Sequence, residues 1–211
     1  MHLKTIIAKS LLLAPLFIAA SVSHAADAEA GKGLYGTCAA CHGQAAEGST
    51  AMKAPALAGQ SADYLVRQLQ YFRSGVRGTA EGDALGAQMR PMAQMLADDA
   101  AVENVSAFIA GLPAASPAAT VAGDPVQGNK QYQSKCGACH GSAGQGNDAL
   151  NSPRLVGLGD AYLIRQFENF RKGLRGSHPD DKYGRQMKMM AATLNDQQLK
   201  DVAAFLNSKT E

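Results

Sequence analysis

The chain has no tryptophan, and its 211 residues include only 6 tyrosines and 6 phenylalanines. So small an aromatic supply, in a chain 46% hydrophobic and 18% charged, suits one or two small domains rather than one large core. A formal net charge of +2 supplies no basic footprint for nucleic acid. Strand signals are missing, and beyond the first 25 residues there is no apolar run long enough to span a bilayer. Cysteine is scarce too, with four residues. In an exported chain four cysteines can form two disulfides, ligate a metal or attach something covalently, and their spacing decides between these.

Export is written at the N-terminus. Lys4 and Lys9 mark a basic start, Leu11 to Ala20 an apolar stretch, and Ser23-His24-Ala25 a small-residue end, the pattern of a bacterial-type signal peptide over residues 1–25 cut after Ala25. The apolar stretch is shorter than the roughly 20 residues of a spanning helix. Without Lys4 and Lys9, the processed chain carries 18 basic and 18 acidic side chains. The expected location is the periplasm.

What remains is a duplication. Cys38-Ala39-Ala40-Cys41-His42 recurs as Cys136-Gly137-Ala138-Cys139-His140 at an offset of 98 residues. The same offset pairs Pro55 with Pro153, Tyr64 with Tyr162, Arg67-Gln68 with Arg165-Gln166, Arg77-Gly78 with Arg175-Gly176 and Gln88-Met89 with Gln186-Met187. Between the copies, residues 113–123 are uncharged and rich in Pro and Ala, which reads as a semi-extended linker. The domains are therefore placed at 26–112 and 124–211.

Each copy predicts a short helical bundle, so the fold class is all-α. A first helix, near Ala30 to Cys38 and Gln127 to Cys136, runs into the cysteines. A middle helix starts after Ser61 or Asp160 as N-cap, buries Leu65, Leu69 and Phe72 or Leu163, Phe167 and Phe170, and stops at Gly75 or Gly173. The last helix follows Ala97 or Asn195, where Asn195 and Gln198 resemble a capping box and Val202, Phe205 and Leu206 form the buried face. Bundles this small and aromatic-poor need a disulfide, metal or cofactor to complete the core.

All four cysteines fall in C-x-x-C-H motifs. On a helix, positions i and i+3 share a face, so both thiols reach the two vinyl groups of one haem while the adjacent histidine supplies the proximal iron ligand. A thioredoxin-like pair belongs in a βαβ context, a disulfide framework needs no histidine after each second cysteine, and zinc needs further ligands in each repeat. The expected cofactors are two covalently bound c-type haems, anchored through Cys38 and Cys41, and through Cys136 and Cys139, with His42 and His140 on the irons.

Only three histidines follow the signal peptide, His42, His140 and His178, so bis-histidine ligation of both haems is excluded. His178 sits in a polar segment with no counterpart in the first copy and reads as a surface-loop residue. Methionine is the remaining common axial ligand. Two methionine pairs keep the repeat offset, Met89 with Met187 and Met92 with Met190, and repetition alone does not choose between them, since methionine also fills cores. Arg73, Arg77, Arg171 and Arg175 recur as well, either as propionate partners or as helix-end charges in solvent.

Taken together, the C-x-x-C-H start, the Pro-x-Leu-x-Gly segment, the Tyr-x-x-x-Gln helix and the Gln-Met-x-x-Met stretch, each present twice, resemble the dihaem cytochrome c4 family over the full processed length. That resemblance implies two tandem cytochrome c-like domains, each wrapped around its haem, and Met89 and Met187 as the sixth ligands. It also implies that the Pro55 and Pro153 carbonyls accept hydrogen bonds from the proximal imidazoles. The implied function is non-catalytic: single electrons pass from a quinol-oxidising complex toward a terminal oxidase, with loose membrane association. A dihaem peroxidase and a redox subunit of a larger complex are the alternatives.

Charge divides between the copies. Residues 26–112 carry 6 basic and 9 acidic groups, residues 124–211 carry 12 and 9, so the processed chain is a dipole of −3 and +3 halves. Negative surroundings favour ferric iron and positive surroundings ferrous, which predicts the higher potential for the second haem.

Overall fold

The computed structural model describes Met1 and residues 25–209, so the signal peptide reading of residues 1–25 lies almost wholly outside the described residues. The first domain contains α1 (Ala28–His42), α2 (Ala62–Ser74), α3 (Ala84–Gln94) and α4 (Asp99–Ala110). The second contains α5 (Pro125–Lys135), α6 (Gly137–His140), a 3₁₀ turn at Asp148–Leu150, α7 (Asp160–Arg171), α8 (Lys182–Met190) and α9 (Asp196–Asn207). Among the described residues the extended pairing is confined to two isolated bridges, Ser49 with Ala54 and Asn147 with Ser152.

Each domain is built on the crossing of its first and last helices, α1 on α4 and α5 on α9. Glycine sets how closely they approach: a Cβ on Gly31 would lie 2.0 Å from the Asn104 carbonyl oxygen, and one on Gly128 would lie 1.9 Å from that of Asp201. One turn further, Tyr35 stacks at 5.4 Å on Phe108 and Tyr132 at 5.3 Å on Phe205. Val102, Val105 and Ile109 on α4, and Val202, Phe205 and Leu206 on α9, fill the interior. Each such side chain removed from water contributes about 1.5–3 kcal/mol.

Several helix ends match their expected signals. The Ser61 hydroxyl accepts from the Tyr64 N–H at the start of α2, Gly75 ends that helix in the left-handed region, and Asn195 and Gln198 form both halves of a capping box on α9. Others differ. The first helix runs through the whole C-x-x-C-H motif in domain 1 but stops at Lys135 in domain 2, where Cys136 (φ −120°) separates α5 from α6. The paired tyrosines and glycines of α1 and α5 sit 97 residues apart whereas the cysteines sit 98 apart, so domain 2 holds one extra residue just before Cys136. In α4 the cap is Asp98, one residue beyond Ala97.

Asp160 is not the N-cap of α7. Gly159 holds that position and Asp160 is the first helical residue. Its side chain, 1% exposed, turns to the linker, accepting from the Thr120 N–H and hydroxyl at 2.6 Å each and from the Val121 N–H at 2.9 Å. The linker is extended, but it is strapped down: Ala114 packs over Gly59 of the first domain, and Ala115 over Gly157 of the second.

Candidate haem-binding sites

In each domain the C-x-x-C-H helix ends on its histidine, and a glycine at positive φ (Gly43, 84°; Gly141, 80°) turns the chain away. The tyrosine about two helix turns upstream locks that turn, Tyr35 donating to the Gly43 carbonyl and Tyr132 to the Gly141 carbonyl at 2.7 Å each. His42 and His140 are buried, and Nδ1 of each lies 2.9 Å from a proline carbonyl, Pro55 and Pro153 respectively. A carbonyl only accepts, so Nδ1 carries the proton and Nε2 keeps its lone pair. Burial pushes both imidazoles below the ordinary histidine value, and the proline carbonyl opposes this. Both rings are neutral ligands in waiting.

All four cysteines are free thiols; Cys38 and Cys136 are half-buried while Cys41 and Cys139 are exposed. Burial raises the Cys38 thiol and pushes Cys136 up to about 11, so these two are protonated at neutral pH. Among the described residues, no three or more His, Cys, Asp or Glu side chains gather as a metal cluster.

A solvent-open cavity accompanies each histidine. That of domain 1, about 1440 Å³, is lined by Cys38, Cys41, His42, Pro55, Met89 and Met92. That of domain 2, about 980 Å³, is lined by Cys136, His140, Pro153 and Met187, but by neither Cys139 nor Met190. Met89 and Met92 thus both face the cavity of domain 1, as does Met52, whereas domain 2 presents Met187 alone of its repeated pair. His178 is outside both cavities, on the surface beside Asp180.

The repeated arginines divide by role. Arg73 and Arg171 form ion pairs with Asp99 and Asp196 at 2.8 and 2.7 Å, tying each middle helix to the start of the last. Arg77 and Arg175 instead line the cavities and stack at 4.5 Å on Phe72 and Phe170. The Nε of each is buried with no partner. A haem fits these surroundings: an apolar slot for the macrocycle, an imidazole on the wall together with both thiols in domain 1 and with Cys136 in domain 2, and guanidiniums with an unmet donor for propionates.

Sequence reasoning noted Tyr64, Gln68, Tyr162 and Gln166 as repeats but gave them no role. They join the domains. Arg77 donates to Gln68 of its own domain (2.7 Å) and to Gln166 (2.9 Å) and Tyr162 (3.3 Å) of the other. Arg175 mirrors it, donating to Gln166 (3.0 Å), Gln68 (2.8 Å) and Tyr64 (3.4 Å). Arg67 reaches the Asn151 carbonyl at 2.8 Å and Arg165 the equivalent Lys53 carbonyl at 2.7 Å, so the interface is a pseudo-twofold. The only signal in the sequence was polar identity on otherwise amphipathic helices.

Fold and sites together define a tandem c-type cytochrome. The Cytochrome c family model matches residues 28–113 and again 125–210. Cytochrome c4 of Stutzerimonas stutzeri is 33% identical over 205 residues, covering 92% of this chain and 95% of that protein. The crystal structure of reduced recombinant cytochrome c4 from Pseudomonas stutzeri superposes with a TM-score of 0.69 at 30% identity, covering 87% of this chain and 98% of the other. A protein named thiosulfate dehydrogenase electron acceptor, from Stutzerimonas stutzeri strain A1501, is 33% identical over 178 residues, 80% of this chain and 76% of its own. The chain belongs to the dihaem cytochrome c4 family, a family of c-type haem electron carriers rather than enzymes. No helix among the described residues is long and apolar enough to cross a membrane.

Proposed function

We propose that this protein, after removal of residues 1–25, works in the periplasm as two cytochrome domains, 26–112 and 124–211, joined by the linker 113–123. It carries single electrons from a quinol-oxidising complex toward a terminal oxidase. The observation that carries the reading is the repetition of one ligand geometry, a neutral imidazole with its Nδ1 proton committed to a proline carbonyl and a methionine lining the same cavity. Cys38, Cys41, Cys136 and Cys139 hold the two haems as thioethers. His42 with Met89, and His140 with Met187, complete the iron ligation. The haem, when bound, supplies a metal that changes oxidation state by one electron. His42 and Met89, and His140 and Met187, would hold that metal from positions the fold already fixes, and the proline carbonyls orient the imidazoles and raise their basicity.

A second reading has a specific observation behind it, the likeness to the thiosulfate dehydrogenase electron acceptor. Here the donor is a thiosulfate-oxidising enzyme instead of a quinol-oxidising complex. Mixing the oxidised holoprotein with each donor in turn, and following haem reduction by stopped flow, tests both. Reduction by the quinol-oxidising complex at a rate faster than that of the thiosulfate enzyme supports the first reading, and the reverse order replaces it with the second.

A further inference from the structure

The helix that walls each cavity on the methionine side has a different outer face in the two domains. On α8, Lys182, Arg185 and Lys188 are exposed, Lys172 lies close by at the end of α7, and Met189 stands 69% exposed among them. At the equivalent positions of domain 1 the residues are Ala84, Ala87, Arg90, Ser74 and Pro91. Among the described residues Lys172 pairs with Glu168 at 3.3 Å, while Lys182, Arg185 and Lys188 make no ion pair; Lys188 donates to the Ser177 hydroxyl and Arg185 to the Pro179 carbonyl. Three uncompensated cations around an exposed thioether side chain thus sit on a helix whose inner side, through Tyr183, Gly184 and Met187, lines the cavity of His140.

We propose that this outer face of α8 is the docking surface for an acidic face of a redox-protein partner, and that the face of α3, with Arg90 as its one cation, is not. The inference rests on the electron-carrier reading above and assigns it a direction in space. Complementary charge speeds encounter, and Met189 supplies an apolar centre within a polar rim. Contact on α8 brings the partner within one helix diameter, roughly 10–12 Å, of the cavity. Two acids border the cations, Glu168 paired with Lys172 and the exposed Asp180 just before α8, so the surface is not uniformly basic. A patterned surface matches the mixed charges of a protein, whereas a uniform sheet of anionic lipid is repelled at those two carboxylates.

The test uses the dihaem holoprotein, fully reduced, against an oxidised acidic blue-copper protein. One electron leaves a ferrous haem and reduces Cu(II) to Cu(I), with no bond or proton changed. The triple variant Lys182→Ala/Arg185→Ala/Lys188→Ala is compared with Lys130→Ala/Lys200→Ala/Lys209→Ala, which removes the same charge from α5, α9 and the C-terminal end of the same domain. The expected result is a fall of about tenfold in the second-order rate for the α8 variant at low salt, vanishing at high salt, with the control variant within about twofold of the parent. Equal slowing by both variants, or slowing by neither, overturns the proposal. Loss of co-sedimentation with phosphatidylglycerol vesicles in the α8 variant, without a change in the copper-protein rate, overturns it in favour of a lipid surface. Reduction of the oxidised parent by a small uncharged hydroquinone, whose two electrons go to the two ferric haems while its two protons leave to solvent, keeps the carrier reading intact whatever the variants do; its failure counts against that reading instead.

Discussion

The two domains hold their histidines identically and reach them differently. The imidazole to proline distance is 2.9 Å in both and the tyrosine to glycine distance 2.7 Å in both. Yet the helix leading into the cysteines is continuous from Ala28 to His42 in one domain and interrupted at Cys136 in the other. The extra residue falls beside Lys135, which reaches across to the Thr193 carbonyl at 2.8 Å, and the imidazole contacts downstream keep the same lengths. Each imidazole is therefore held by its proline carbonyl and the tyrosine lock on the turn after it, without a continuous helix into the motif. The second difference is the strap: Asp160 fastens the linker to domain 2, while the matching position of domain 1 is Ala62.

If the shared helix crossing is what the domains have most in common, the largest effect should be the same in both. Gly31→Ala and Gly128→Ala each force a Cβ into a facing carbonyl and should cost their own domain about 1–3 kcal/mol, read by denaturant unfolding of the holoprotein. A loss confined to one domain breaks the equivalence. Asp160→Ala should act on one side only. It leaves the Thr120 and Val121 donors unmet, costs about 2 kcal/mol, and opens residues 113–123 to limited proteolysis. Burial raises the Asp160 carboxyl, but the Thr120, Val121 and Ala161 donors outweigh it and hold it below the ordinary aspartate value. The clasp is thus complete above the unfolded-state value and fades as pH falls through the lower folded one, so linker cleavage in the parent should rise only in acid. The smallest effect belongs to the half-exposed ion pairs: Asp99→Ala and Asp196→Ala should each cost about 0.5 kcal/mol, equal in the two domains and reduced by salt.

The repeat was readable because the same residues recur at one offset, and the all-α class, the caps at Ser61 and Asn195 and the boundary at Gly75 because each depends on residues close together in the chain. The break before Cys136 was not, because the cysteines anchor the comparison at an offset of 98 and hide a one-residue shift upstream of them. Asp160 was misplaced for a related reason: an aspartate before an apolar helix satisfies the cap rule equally whether it caps or stands one residue inside, and only Gly159 at φ 85° separates the two. The ion pairs of Arg73 and Arg171 join residues 26 and 25 positions apart, and the exchange of Gln68 and Gln166 across the interface joins residues 107 and 89 apart, separations that no local pattern records.

We propose that the two sites are equivalent in ligation and unequal in charge. Spectroelectrochemical titration of the holoprotein with Met89→Ala, Met187→Ala, Met92→Ala and Met190→Ala tests both halves at once. The expected result is that Met89→Ala and Met187→Ala each abolish about half of the ferric methionine charge-transfer band, that Met92→Ala and Met190→Ala leave it, and that the haem whose methionine signature disappears in Met187→Ala is the one of higher potential in the parent. Loss of the band in Met92→Ala or Met190→Ala, or a higher potential at the His42 haem, contradicts it.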